Sequence, residues 1–253
     1  SDCPEIKLLA YGSSITQGCG ALCPQLNYLN TAAQILGIDI QNKAIAGGCF
    51  CERETVEYLC RETFDAVYLE PGTNIANRPL AIIEERVGTL IDTFCERFAD
   101  KKIFIMTPVR GLSDVSKTTE DYTEYYSRSR GVIVSHAQRY ANAILLDGHK
   151  LLDKAYYLSG DILHPSGFGH VMMGTNFAKM LKPYMEQIKR EKSERIFIGV
   201  RQQPLIRLKA GETKTGRASR SGTYIRIATE PSLGEKTAIM HAIIIIECRK
   251  TSI

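Results

Sequence analysis

The sequence has no apolar run long enough to cross a membrane as a helix, and its most apolar stretch, Ala242–Ile246, has the length of a buried strand. It has no CxxC pair, so neither a thioredoxin-like redox motif nor a zinc ribbon is written in it. It has no P-loop and no GxGxxG, which removes the usual sequence support for a nucleotide-binding α/β protein. Internal repeats and low-complexity segments are lacking too, which excludes solenoids and tails. No leader peptide is visible. The chain starts at Ser1 rather than Met, so that absence says little about a removed leader or upstream domain.

What is present is an ordinary globular composition. Of 253 residues, 44% are hydrophobic and 24% charged, enough for one large core, or a core and a small extra domain. The net charge of +4 is uneven: residues 190–226 hold ten Lys/Arg against three Glu. That basic segment reads as a solvated face with charge-protected edge strands, and no nucleic-acid partner is expected. Eight cysteines permit disulfides that a chain of this size does not need. Cys19/Cys23 and Cys49/Cys51 sit on two loops that could converge on a metal. Their spacing fits no zinc pattern, so small buried thiols and no metal are expected.

Up to residue 190 the pattern alternates. Strand-like runs at Ile6–Tyr11, Asp39–Ala44, Phe64–Leu69, Ile103–Met106 and Ile144–Leu146 are separated by helical segments. The helices are expected at Tyr28–Leu36, Glu52–Arg61, 79–99, 119–141 and 167–190, with a break conceivable at Gly131. The strongest period is in 79–99, where Ile83, Val87, Leu90, Ile91, Phe94 and Phe98 share a face. This order predicts an α/β fold, a three-layer doubly wound, flavodoxin-like sheet of about five parallel strands with helices on both faces. The strand-end turns then open on one rim, carrying Ser13/Ser14, Gly47, Thr73/Asn74, Thr107 and Asp147. Beyond 195, runs at Arg195–Val200, Leu205–Lys209, Thr223–Ala228 and Ala238–Cys248 are β-prone. Two domains follow: an α/β domain at 1–194 and a small basic β-rich extension at 195–253. The extension packs on the main domain or on a second copy, so a homo-oligomer through it is one expectation.

The first strand ends in Gly12-Ser13-Ser14-Ile15-Thr16, a tight turn with two serines where open α/β sheets bind ligands. A serine nucleophile needs a base, a group to orient that base, and donors for an oxyanion. Asp161 and His164 lie three apart in a turn before a helix. The carboxylate can hold Nδ1–H and leave Nε2 as the base, although alone the pair reads as a helix cap and a surface histidine. His149, after the strand end at Asp147, is the alternative base. His136, His170 and His241 fall on helices or in the extension. Gly47 and Asn74 could supply a backbone and a side-chain donor. Singly, each is an ordinary turn residue.

Together, and in this order, these residues resemble the SGNH hydrolases, the GDSL-like esterases and lipases. Gly12-Ser13-Ser14-Ile15-Thr16 matches the first motif, Asn42–Gly47 the second, Gly72-Thr73-Asn74 the third and Asp161-Ile162-Leu163-His164 the last. The likeness spans roughly residues 5 to 190. Ser13 stands where many members have Asp, and Ile75 follows Asn74 where many have Asp. The resemblance implies a nucleophile Ser14, a base His164, and Asp161 to orient it. It implies an oxyanion hole of Ser14, Gly47 and Asn74, with no metal or organic cofactor. It makes Ser13, Thr73 and Arg110 candidates for substrate contact. The substrate it implies is a small ester, most similar to an acetylated glycan, with lipase- or thioesterase-type acyl hydrolysis, or a catalytically weak carbohydrate-binding module, as alternatives. No membrane partner is expected. The cysteine pattern leans to the cytoplasm, while carbohydrate deacetylases are often exported.

Overall fold

The five strand-like runs form one parallel sheet. In the computed structural model, residues 4–115, 120–201, 213–217, 224–228 and 243–247 are described. The strands are β1 (Lys7–Gly12), β2 (Asp39–Asn42), β3 (Ala66–Glu70), β4 (Lys102–Met106) and β5 (Ala143–Leu146). They lie in the order β2-β1-β3-β4-β5, every pair parallel. Chain order reverses between β1 and β3, and that crevice, at the carboxyl ends of the strands, is where such sheets hold their ligands.

The alternation of a strand's side chains explains the two cores. Leu8 and Ala10 of β1 join Tyr68, Phe104 and Met106 on one face. There they meet α2 (Tyr28–Leu36) and α8 (Gly167–Arg201), through Leu29, Met173, Phe177 and Leu181. Leu9 and Tyr11 join Val67, Leu69, Ile103 and Ile105 on the other. There they meet α3 (Arg53–Leu59), α4 (Leu80–Arg97) and α6 (Glu120–Ala137). β3 is buried at every position, which only a sheet covered on both faces permits. In α4, the face read from the sequence is the buried one: Ile83, Val87, Leu90, Ile91 and Phe94 are all at 0% exposure. Gly88 lets α4 approach α6, since a Cβ there would sit 2.5 Å from the His136 ring. Four-residue helices α1 (Ser14–Gln17), α5 (Leu112–Val115) and α7 (Gly148–Leu151) complete the set.

Two expectations are corrected. α6 runs unbroken through Gly131, and a single glycine costs a helix only about 1 kcal/mol. Arg195–Val200, expected as a strand, is the continuation of α8 to Arg201. Its β-prone residues follow an established helix, and propagation outweighs so weak a local preference.

The chain divides into two units, residues 1–190 and 191–253, and the boundary expected at 194/195 falls inside α8. In the second unit β6 (Thr213–Arg217), β7 (Tyr224–Ala228) and β8 (Ile243–Glu247) form an antiparallel sheet in that order. The expected strand Leu205–Lys209 lies outside the described residues. Among the described residues no helix is long and apolar enough to cross a membrane.

Candidate active site

The turn after β1 begins with Ser13, which caps α1: its Oγ accepts the Ile15 N–H at 3.3 Å. Ser14 is the first helical residue, so its own N–H has no carbonyl to meet within the helix. Its Oγ lies 2.8 Å from Nε2 of His164. Nδ1 of His164 lies 2.6 Å from Oδ2 of Asp161.

The loop that brings Asp161 and His164 together is tightly wound. Asp161 Oδ1 accepts the Ser159 hydroxyl at 2.6 Å, the Leu163 N–H at 3.0 Å and the His164 N–H at 2.9 Å. Ile162 takes φ +56, a left-handed conformation that costs a branched residue about 1–2 kcal/mol. That conformation lies within the turn that carries Asp161 and His164. Desolvation raises the Asp161 pKa. The hydrogen bonds from Ser159, His164 and Leu163 outweigh it and hold the carboxyl well below the usual carboxylate range. Asp161 is therefore an acceptor at neutral pH. Nδ1 then carries the imidazole proton, and Nε2 is free to accept from Ser14.

Gly47 and Asn74 come from the turns after β2 and β3. Asn74 Oδ1 accepts the Cys49 N–H at 3.1 Å, which fixes the amide and leaves its NH2 to donate elsewhere. Gly47 adopts φ +67 with nothing within 4 Å of a would-be Cβ, so its backbone angle, not lack of space, calls for glycine. The loop bearing it is bonded to the serine turn twice. Ile45 N–H donates to the Gly12 carbonyl at 3.2 Å, and Ala46 N–H donates to Oε1 of Gln17.

The three residues named for substrate contact have these partners in the fold. Ser13 is fully buried, and its hydroxyl is given to Oε2 of Glu70 at 2.6 Å. The Thr73 hydroxyl goes to Oε1 of the same carboxylate, also at 2.6 Å. Arg110 lies just past β4 with Nε on the Leu152 carbonyl at 3.3 Å, and no hydrogen bond joins it to Ser14, His164 or Asn74. The alternative base, His149, is engaged elsewhere: its Nε2 lies 3.0 Å from Asp114 and 3.1 Å from Arg130. His170 is fully buried. It accepts the Tyr28 N–H on Nδ1 at 3.4 Å and donates from Nε2 to the Cys19 carbonyl at 2.9 Å, a pairing that needs the neutral ring. Desolvation lowers its pKa accordingly.

Glu70 went unnoticed in the sequence. It closes β3 at 1% exposure and accepts four hydrogen bonds: from Ser13 N–H, Ser13 Oγ, Thr16 Oγ1 and Thr73 Oγ1. Burial pushes its carboxyl up, and those donors pull against the rise. Thr16 also meets the Tyr28 hydroxyl at 2.8 Å, and Tyr28 donates to Tyr68 at 3.0 Å, which carries the polar chain into the core. A charged residue ending an otherwise apolar β-run, before Pro71-Gly72, was the available signal.

Cys49 and Cys51 are buried thiols, Cys19 and Cys23 are half-buried, and all four are unpaired. Among the described residues no group of three or more His, Cys, Asp or Glu is placed to hold a metal ion.

No protein-family description matches the sequence, and no curated protein matches it. Solved structures do. A protein described as a GDSL-like lipase from Bacteroides ovatus superposes with a TM-score of 0.61 at 20% identity, over 75% of this chain and 55% of that one. The fold is that of the GDSL-type hydrolases. The salicylyl-acyltransferase SsfX3 of a tetracycline biosynthetic pathway gives 0.59 at 21% identity, over 70% of this chain and 53% of that one. Est24, a carbohydrate acetylesterase from Sinorhizobium meliloti, gives 0.54 at 14%, over 71% of this chain and 100% of that one. The chain spans about half the length of the first two. In this GDSL-type sheet, Ser14 and Asn74 stand on the two sides of the β1/β3 crevice, and His164 reaches it from the loop before α8.

Proposed function

We propose that the chain is a serine ester hydrolase, with Ser14 as nucleophile, His164 as general base and Asp161 as the residue that orients the imidazole. The observation that carries this reading is the unbroken chain Asp161 Oδ2–His164 Nδ1, 2.6 Å, and His164 Nε2–Ser14 Oγ, 2.8 Å. His164 takes the Ser14 proton as the hydroxyl attacks an ester carbonyl. The tetrahedral oxyanion accepts from Ser14 N–H, Gly47 N–H and the Asn74 NH2. The alcohol leaves with the proton from His164. Water, deprotonated by the same ring, then releases the acid and restores Ser14. The proposed substrate is a short, acetyl-type ester, with an acetylated carbohydrate favoured by the likeness to Est24. The residues given these roles all lie in the α/β unit.

The test is hydrolysis of p-nitrophenyl acetate and of an acetyl-to-octanoyl ester panel, with Ser14→Ala as control. The wild-type protein is expected to turn over acetyl esters and to be labelled by a fluorophosphonate. Ser14→Ala is expected to lose about 10⁴-fold or more in kcat, since triad members act as a unit. Hydrolysis that survives Ser14→Ala refutes the assignment.

A further inference from the structure

Among the described residues Glu70 is the one buried carboxylate, and the proposed chemistry leaves it without a task. It ends β3 opposite Gly12 of β1, at the crevice where chain order reverses and just before the two strands pass into their turns. Its two oxygens divide their partners between those turns. Oε2 takes Ser13 N–H at 2.8 Å, Ser13 Oγ at 2.6 Å and Thr16 Oγ1 at 3.0 Å; Oε1 takes Thr73 Oγ1 at 2.6 Å. Ser13 immediately precedes Ser14, and Thr73 immediately precedes Asn74. A carboxylate has rigid, planar geometry, so two bonds of 2.6 Å to its two oxygens fix the distance between the residues that make them.

We propose that Glu70 is the positioning residue of the site: it sets the separation between the Ser14 hydroxyl and N–H on one turn and the Asn74 amide on the other. This rests on the serine-hydrolase reading above.

Three observations support a role beyond stability. Three of the four hydrogen bonds come from Ser13 and Thr73, the immediate neighbours of two proposed oxyanion donors, and the fourth from Thr16. Ser13 spends its hydroxyl proton on Glu70 and its lone pair on Ile15 N–H, so Glu70 fixes the rotamer that caps α1 as well. Asn74 is held from its other side by Cys49 N–H, so the amide is clamped between the Gly47 loop and the Glu70 tie. A charged group buried at 1% exposure is costly to keep, and a merely apolar contact would hold the turns together without that cost. What an apolar side chain cannot do is accept four hydrogen bonds in fixed directions.

The experiment compares Glu70→Ala, Glu70→Gln and Thr73→Val on p-nitrophenyl acetate. kcat is expressed per active site titrated with a fluorophosphonate, and Tm is recorded alongside. Misplacing reacting groups by about 1 Å costs about 10²-fold. Glu70→Ala is therefore expected to lower per-site kcat about 10²-fold while KM changes by less than about threefold. Glu70→Gln keeps an acceptor oxygen for Ser13 and Thr16, and its amide can meet a rotated Thr73 hydroxyl. It is expected within about fivefold of wild type. Thr73→Val is expected to lose about tenfold, and the Glu70→Ala/Thr73→Val double variant to be no slower than Glu70→Ala alone. A Glu70→Ala protein with lowered Tm but per-site kcat within threefold of wild type overturns the proposal. Should Glu70→Ala fail to fold, Thr73→Val at wild-type kcat does the same. If the wild type hydrolyses no ester, or Ser14→Ala keeps its rate, the serine-hydrolase reading falls first and takes this inference with it.

Discussion

Gly20→Ala tests whether the His164 loop is held where Ser14 needs it. Gly20 has φ +94, and a Cβ built there lies 2.0 Å from the backbone carbonyl oxygen of Pro165. Cβ contacts shorter than 3.0 Å essentially do not occur, so one of the two segments must retreat by about 1 Å. Both sides are anchored. Cys19 N–H donates to the Ser14 carbonyl at 2.9 Å, and the Cys19 carbonyl accepts from the buried His170 at 2.9 Å. The Pro165 side is held by the bridge to Leu158, with Ser159 N–H on the His164 carbonyl at 2.8 Å and Ser166 N–H on the Tyr157 carbonyl at 2.7 Å, and by Asp161 on the His164 N–H at 2.9 Å. The assay reads the part of the displacement that falls on residues 164–165. That part stretches the 2.8 Å Ser14–His164 bond beyond hydrogen-bonding reach. The backbone strain costs about 1–3 kcal/mol and the overpacking about 1–3 kcal/mol. Against a typical stability of about 5–15 kcal/mol the protein stays folded. Esterase kcat should drop about 10²-fold while circular dichroism and the sharpness of melting persist. Gly131→Ala is the matched control: it lies inside α6 with nothing within 4 Å of its Cβ, and should be neutral or stabilising by about 0.5–1 kcal/mol. A Gly20→Ala protein with kcat within twofold of wild type would falsify the argument that these two loops are packed against each other to fix His164.

Two further predictions concern stability. His170 is neutral in the fold and its pKa is lowered by burial, so below about pH 6.5 the unfolded chain binds a proton that the native state refuses. Stability should then decline on acidification by up to about 1.4 kcal/mol per pH unit until the native ring titrates. His170→Gln can keep both hydrogen bonds, and the difference between its urea curves and those of wild type should isolate this slope between pH 7.5 and 5. Equal slopes in the two proteins would refute the neutral-ring assignment. Phe177 is fully buried against the rings of Tyr68, 4.6 Å away, and Tyr28, 5.6 Å away. Phe177→Ala should cost about 3–5 kcal/mol in denaturant titration, and a loss below about 1 kcal/mol would mean that α8 does not carry this core.

The legible parts of this chain were those that repeat. The face of α4 was visible because its apolar residues recur every three or four positions, and the parallel sheet because strand and helix alternate five times. The crevice that brings Ser14 and Asn74 together was foreseeable only as a rim, since strand order is set by crossover handedness and packing, not by any local run of residues. What stayed hidden was burial and direction at single positions. Ser13 and Ser14 are adjacent and chemically identical, yet one gives its proton to Glu70 and the other lies against His164. Periodicity carries nothing that separates them. Arg195–Val200 shows the converse, a strong local preference overruled by the helix already running into it.

Glu70 is the instructive omission, because its meaning depends on a contact 57 residues distant in sequence. A carboxylate at the end of a strand ordinarily reads as a solvated terminus. Here the strand enters a crevice already roofed by two turns, and the same residue becomes their common acceptor. β1 and β3 are paired as far as Gly12 and Glu70, and just beyond that register the Glu70 side chain joins the Ser13 turn to Thr73. The residue that joins them has to be an acceptor, since every group presented to it is an N–H or an O–H. It has to offer two polar atoms, since the groups come from two directions. Glutamate does so with two oxygens, and glutamine with one oxygen and an NH2 that a rotated Thr73 hydroxyl can accept from, which is why the variants at this position separate geometry from charge.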